Sequence, residues 1–282
     1  MKRILITGAN GFVGARAMEA YRDRYALVTC PRGWLRSADE EAVHAFVREA
    51  RPDAIFHLAA ISDMGACERD PEAARRANVS AVEWMCRAAR DSGARLLAFS
   101  SDQVYNGRGD RGPFREEDAR PVNVYGRAKL EAEQRGLDIL PDAVFLRATW
   151  MYDLPLCRRA NRGNLLMNLL RAAARSEPLA FANTQTRGIT YVRQAVDHLE
   201  RAIALPGGAY NYGSENTKGM YDTACDFLKA LGLESRIPEL LIRDDERAPS
   251  SLLMDCSKLR GHGISFDTTE EGIQRCVRDY GL

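Results

Sequence analysis

Arg3-Ile4-Leu5-Ile6-Thr7-Gly8-Ala9-Asn10-Gly11-Phe12-Val13-Gly14 is a branched apolar run that breaks into three glycines spaced three residues apart. A run of that kind reads as a buried strand, and the residues after the last glycine read as the start of a helix. Glycine closes the turn and lets a pyrophosphate approach backbone amides at the positive end of that helix. The stretch therefore predicts a dinucleotide site at the first strand-to-helix turn, built by Gly8, Gly11, Phe12, Val13 and Gly14.

Further short branched runs follow at Ala26–Thr29, Ala54–Leu58, Leu96–Phe99 and Ala143–Leu146. Near-continuous apolar strands suit a parallel sheet covered on both faces. Helical patterns separate them at 40–50, 71–92 and 125–136, and Pro71 suits a first helical turn. Repeated β-α-β units predict an α/β chain with a Rossmann-like doubly wound parallel sheet. Beyond Tyr152 the pattern loosens around Pro155 and Asn161-Arg162-Gly163, a helical segment is expected at 164–176, the segment 191–205 follows it, and Ala209–Tyr212 reads as a returning strand. The expected division is a dinucleotide-binding domain of residues 1–152 and 189–213, with a smaller, C-terminal substrate-binding lobe of residues 153–188 and 214–282.

Forty basic and thirty-nine acidic residues in 282 leave no general charge footprint for nucleic acid or an anionic membrane, so charge-based recognition is expected to be local. No apolar run reaches the length of a membrane span, and the run after Met1-Lys2-Arg3 stops too early for a signal peptide. The seven cysteines form no C-x-x-C, and neither they nor the four histidines show metal-ligand spacing, so no metal is expected. Reduced thiols and a cytoplasmic location follow as expectations. The basic cluster Arg158, Arg159 and Arg162 reads mainly as a solvated loop, with attraction of a pyrophosphate as its sharper alternative.

Tyr125 and Lys129 lie four residues apart, which on a helix puts phenol and ammonium one turn apart on one face. Ser101 follows the strand 96–99 at the carboxyl edge of the sheet, where open α/β folds place their chemistry. The serine can donate to a carbonyl oxygen, the tyrosine can protonate it, and the lysine can hold the nicotinamide ribose and stabilise the phenolate. Leu58-Ala59-Ala60 suits a backbone passing close to the cofactor, whereas the neighbouring His57 reads as a satisfied strand-end side chain. After the second strand no acid stands ready for the ribose of NAD. Arg32 stands there instead, which favours NADPH, with NADH the alternative.

Together these residues resemble an extended short-chain dehydrogenase/reductase, and more closely the dTDP-4-dehydrorhamnose reductase family. The matching text includes residues 4–14, Arg51-Pro52-Asp53, Asn78, Phe99-Ser100-Ser101-Asp102, residues 121–130 and Leu146–Tyr152. The resemblance implies NADPH-dependent reduction of a nucleotide-linked 4-keto-6-deoxysugar, with dTDP-4-dehydrorhamnose to dTDP-rhamnose as the candidate reaction. It assigns catalysis to Ser101, Tyr125 and Lys129, and places Met64, Asp102 and Trp150 near the sugar. Where the family usually reads Asp-Gln-x-Gly-x-Pro-Thr, this chain reads Thr184-Gln185-Thr186-Arg187-Gly188-Ile189-Thr190, so the redox core matches more closely than the sugar pocket. Two other functions use the same fold: a nucleotide-sugar epimerase or dehydratase with retained NAD, and a non-catalytic NADP-binding subunit resembling the methionine adenosyltransferase β subunit. A nucleotide sugar is the expected partner, and a homodimer is one of the oligomeric states left open.

Overall fold

Residues 3–7 form a strand whose last four residues are all buried, as a branched run covered on both faces should. The structure is a computed structural model that describes residues 2–109, 112–156 and 163–282. Its strands are β1 Arg3–Thr7, β2 Ala26–Thr29, β3 Ala54–His57, β4 Arg95–Ser101, β5 Val144–Ala148, β6 Trp150–Tyr152, β7 Leu179–Phe181, β8 Gln185–Arg187, β9 Ile189–Tyr191, β10 Gly208–Tyr212, β11 Leu241–Arg243 and β12 Ser250–Leu252. Six of them make one sheet in the order β2-β1-β3-β4-β5-β10. β1 pairs in parallel with β2 on one side and β3 on the other, and β3 pairs in parallel with β4. The doubly wound parallel sheet expected from the sequence is present. Strand order reverses between β1 and β3, so a crevice for a ligand opens at their carboxyl ends.

By internal contacts the chain divides into two units. The first contains residues Met1–Val104, Ala119–Arg147 and Val196–Tyr210. Its core joins Leu5, Ile55, Leu96 and Phe145 of the strands to Val43, Val47, Val82 and Met85 of the helices Glu40–Ala50 and Ala81–Ser92. Each large apolar side chain buried there contributes about 1.5–3 kcal/mol. Helix Glu40–Ala50 starts on Asp39, whose carboxylate accepts from Ala42 N, and it carries Glu40 and Glu41 in its positive first turn.

The continuous helix expected over 71–92 is instead interrupted. Helix Pro71–Arg75 passes into a π turn at Arg76–Ser80 before Ala81–Ser92 resumes the α form. The wide turn carries Asn78, which makes two hydrogen bonds with the backbone of Ile61: Ile61 N donates to Oδ1 and Nδ2 donates to Ile61 O, both at 2.9 Å. A tertiary contact accompanies this departure from α-helical winding, and no local propensity signals it.

The second unit comprises Tyr105–Asp118, Ala148–Ala195 and Asn211–Leu282. Three short parallel pairs run through it: β6 with β9, β8 with β12, and β7 with β11. Tyr191 closes β9, and helices Val192–Asp197 and Leu199–Ala202 follow it. Buried Tyr152, Leu169, Tyr191, Phe227 and Ile273 fill the core of this unit. Its last helix, Thr269–Tyr280, begins with a full capping box, in which Thr268 and Glu271 satisfy each other's backbone amides. Among the described residues no helix is long and apolar enough to cross a membrane, and no disulfide joins two of the six described cysteines.

Candidate active site

Gly8 takes φ +69°, and a Cβ there would lie 2.8 Å from Ala59 N and 2.9 Å from Leu58 O. The carboxyl ends of β1 and β3 are thus pressed backbone to backbone. Gly11 N donates to Gly8 O at 2.7 Å, and Gly11 is the N-cap of helix Phe12–Tyr21. A Cβ on Gly14 would collide with Gly8 O. This helix start carries no side-chain cap and no acid in its first turn. Its amides and positive dipole end are suited to an anion from outside the chain.

The wall beside it is Leu58–Ala60, half-buried and tied down from beneath. Thr7 Oγ1 accepts from both Leu58 N and Ala59 N at 3.1 Å, and lies 3.1 Å from His57 Nδ1. Arg32 is exposed in the loop after β2, just before Gly33 turns the chain with φ +77° into a short helix at Trp34–Ser37. Arg76 secures that loop, donating to Arg36 O at 3.1 Å and Ala38 O at 2.8 Å. Sequence reasoning missed Arg76, whose role depends on a contact forty residues away.

Ser101 ends β4. Gln103 N donates to its hydroxyl, which in turn donates to Asp102 Oδ1, each at 3.2 Å. Tyr125 and Lys129 lie on helix Val124–Ile139, which Asn123 caps by accepting from Gly126 N. A Cβ on Gly126 would run into Gln103 O and sit 2.9 Å from Pro121 Cβ. Glycine at 126 therefore lets the start of this helix abut the chain just beyond Ser101. The Tyr-Gly dipeptide was a signal for this contact that the spacing argument did not use.

Lys129 is 3% exposed, and its Nζ donates to Phe99 O at 2.8 Å while lying 5.8 Å from the centre of the Tyr125 ring. Burial pulls its pKa down to about 8, against the opposing pull of Glu133. Near neutral pH the ammonium still carries its proton. The residue pair read from four-residue spacing is thus assembled, with the lysine anchored two residues before Ser101 on the same strand.

Met64 and Asp102 lie in the same unit. Asn123 Nδ2 contacts Met64 Sδ at 3.6 Å, and Met64 is 46% exposed. Asp102 is buried, with its Oδ1 accepting from Ser101. Trp150 belongs to the second unit, where the Arg187 guanidinium stacks 5.3 Å above its ring. Arg158, Arg159 and Arg162 lie outside the described residues. Among the described residues no cluster of three or more His, Cys, Asp or Glu is placed to hold a metal.

A family model described as the RmlD substrate binding domain matches residues 1–281. Methionine adenosyltransferase 2 subunit beta of Xenopus laevis is 30% identical over 285 residues, covering 95% of this chain and 84% of that protein. dTDP-4-dehydrorhamnose reductase of Salmonella typhimurium is 30% identical over 214 residues, covering 72% of this chain and 69% of the enzyme. Among solved structures, the dTDP-4-dehydrorhamnose reductase of Bacillus anthracis in complex with NADP superposes with a TM-score of 0.85 at 21% identity, covering 99% of both chains.

Proposed function

The chain belongs to the RmlD substrate binding domain family, an extended short-chain dehydrogenase/reductase group, and from that membership we propose that it is an NADPH-dependent reductase of a nucleotide-linked 4-keto-6-deoxysugar, with dTDP-4-dehydrorhamnose as the leading candidate. The observation that carries this reading is the site at the end of β4. Lys129 is buried beside Tyr125, on a helix whose start abuts the segment following Ser101.

The residues present fit a dinucleotide. The uncapped helix start at Gly11 offers amides to its pyrophosphate, Leu58–Ala60 forms a wall, and Arg32 offers an exposed fork to a 2′-phosphate. When bound, NADPH supplies the hydride. Ser101 orients the substrate: its bond to Asp102 is long enough to be exchanged for one to a ketone oxygen, while Gln103 N keeps holding the hydroxyl oxygen. Tyr125 gives its proton to that oxygen as the carbonyl carbon is reduced. Lys129, cationic below about pH 8, stabilises the phenolate that remains. One proton and one hydride enter the ketone, and one alcohol leaves.

The test is to follow absorbance of reduced cofactor against a panel of nucleotide-linked 4-ketosugars. Stoichiometric loss of NADPH with alcohol formation is expected. Turnover without net loss would point to an epimerase or dehydratase that retains its cofactor. A second reading is favoured by the 95% coverage of this chain in the match to methionine adenosyltransferase subunit beta. Tight NADPH binding with no reduction of any ketosugar, together with stable association with a methionine adenosyltransferase, would replace the enzyme by a binding subunit.

A further inference from the structure

Thr7 and His57 are the last residues of β1 and β3 and face each other in register across the parallel pair. Both are buried. The Thr7 hydroxyl has two lone pairs and one proton. Leu58 N and Ala59 N both donate to the oxygen at 3.1 Å, and His57 Nδ1 lies 3.1 Å away. With its lone pairs engaged by two amides, the hydroxyl has its proton left to give, and Nδ1 is the acceptor it reaches. Were Nδ1 protonated instead, three donors would crowd one oxygen and the hydroxyl proton would have no use.

We propose that His57 is a positioning residue: a neutral imidazole protonated at Nε2, whose bare Nδ1 fixes the Thr7 hydroxyl so that Thr7 clamps the Leu58–Ala60 wall at the cofactor crevice. The proposal rests on the reading that this wall borders bound NADPH. Strand-end packing alone would not require either tautomer. Burial, reinforced by the Lys129 ammonium, pushes the His57 pKa down to about 3, which agrees with a neutral ring. The His57 Nε2 is buried with no hydrogen-bond partner among the described residues. The Thr7 contact is therefore the polar contact that orients the ring.

Long-range proton–nitrogen correlation spectra of histidine-labelled protein at neutral pH test the proposal directly, with the His57 signals assigned by their loss in His57→Asn. The expected result is a proton on Nε2 and none on Nδ1. Thr7→Val, close in shape but without the hydroxyl, is expected to abolish this preference and to raise the Kd for NADPH by about 10-fold, as two part-buried amides lose their acceptor. Thr7→Ser is expected to keep both the tautomer and an affinity within about 2-fold of the parent. A proton on Nδ1 in the parent protein would overturn the proposal, and so would unchanged affinity in a folded Thr7→Val. Should Thr7→Val not fold, the parent spectrum and Thr7→Ser still decide. Absence of NADPH binding in the parent would overturn the functional reading instead, leaving the tautomer to judge the pairing on its own.

Discussion

One helix carries two buried charges with opposite fates. Glu133, near the middle of Val124–Ile139, is gripped by Arg147 of β5, with Arg147 Nε 3.0 and 3.1 Å from its two oxygens and Nη2 at 2.6 Å from one of them. Lys129, one turn earlier, hydrogen-bonds a single backbone carbonyl, Phe99 O, and its pKa is drawn down to about 8. Both side chains are nearly inaccessible. A buried charge held by several matched hydrogen bonds is structural, whereas one left under-compensated costs stability and is retained for what it does to its neighbour. Here that neighbour is Tyr125.

The contrast can be broken at each point. Tyr125→Phe removes the proton donor and leaves the packing against Cys67 and Ala74. It is expected to lower kcat by about 10³-fold, roughly 4 kcal/mol of transition-state stabilisation, with NADPH affinity nearly unchanged. Undiminished turnover in steady-state kinetics would reassign the phenol to packing. Arg147→Met should act on the fold rather than on the chemistry. Leaving Glu133 buried and unpaired is expected to cost about 3 kcal/mol or more in urea melts. A loss below about 0.5 kcal/mol would show that water reaches the carboxylate.

Lys129→Met should sharpen the comparison from the other side. Its folded pKa is depressed below that of the unfolded chain, so the ammonium opposes folding below about pH 8, and that penalty fades as pH rises towards the ordinary lysine value. The methionine variant is therefore expected to be at least as stable as the parent at pH 7, by about 1–3 kcal/mol after loss of the Phe99 bond, while turnover falls. In the parent, kcat should decline as pH climbs through about 8, where the cation is lost. A flat profile to pH 10, or a destabilised methionine variant, would mean that the charge is compensated by something else.

What the sequence made legible was what local pattern dictates. β1 and β2 were read to the residue, because branched runs bounded by glycine and polar residues leave little choice. Tyr125 and Lys129 were legible because helix geometry fixes the meaning of their spacing. The π turn at Arg76–Ser80 was not, since Asn78 finds its partner in a loop seventeen residues away. Nor was His57, expected as a satisfied strand-end residue: the register of β1 against β3 engages one nitrogen, while the other has no hydrogen-bond partner among the described residues. The sugar side was the least legible. Met64 and Asp102 fall in one unit and Trp150 in the other, and Arg187 over the tryptophan stands where the family motif has glycine.

The glycine turn has an implication for ancestry. Gly8 is demanded by its left-handed backbone and by the amide of Ala59, and Gly14 by the carbonyl of Gly8, before any nucleotide enters. A descendant that had abandoned cofactor use would be purged of mutations at these two sites just as strictly. Persistence of the fingerprint through a lineage therefore records inheritance of the scaffold, and only the positions that leave the scaffold indifferent can testify to the occupation of its descendants.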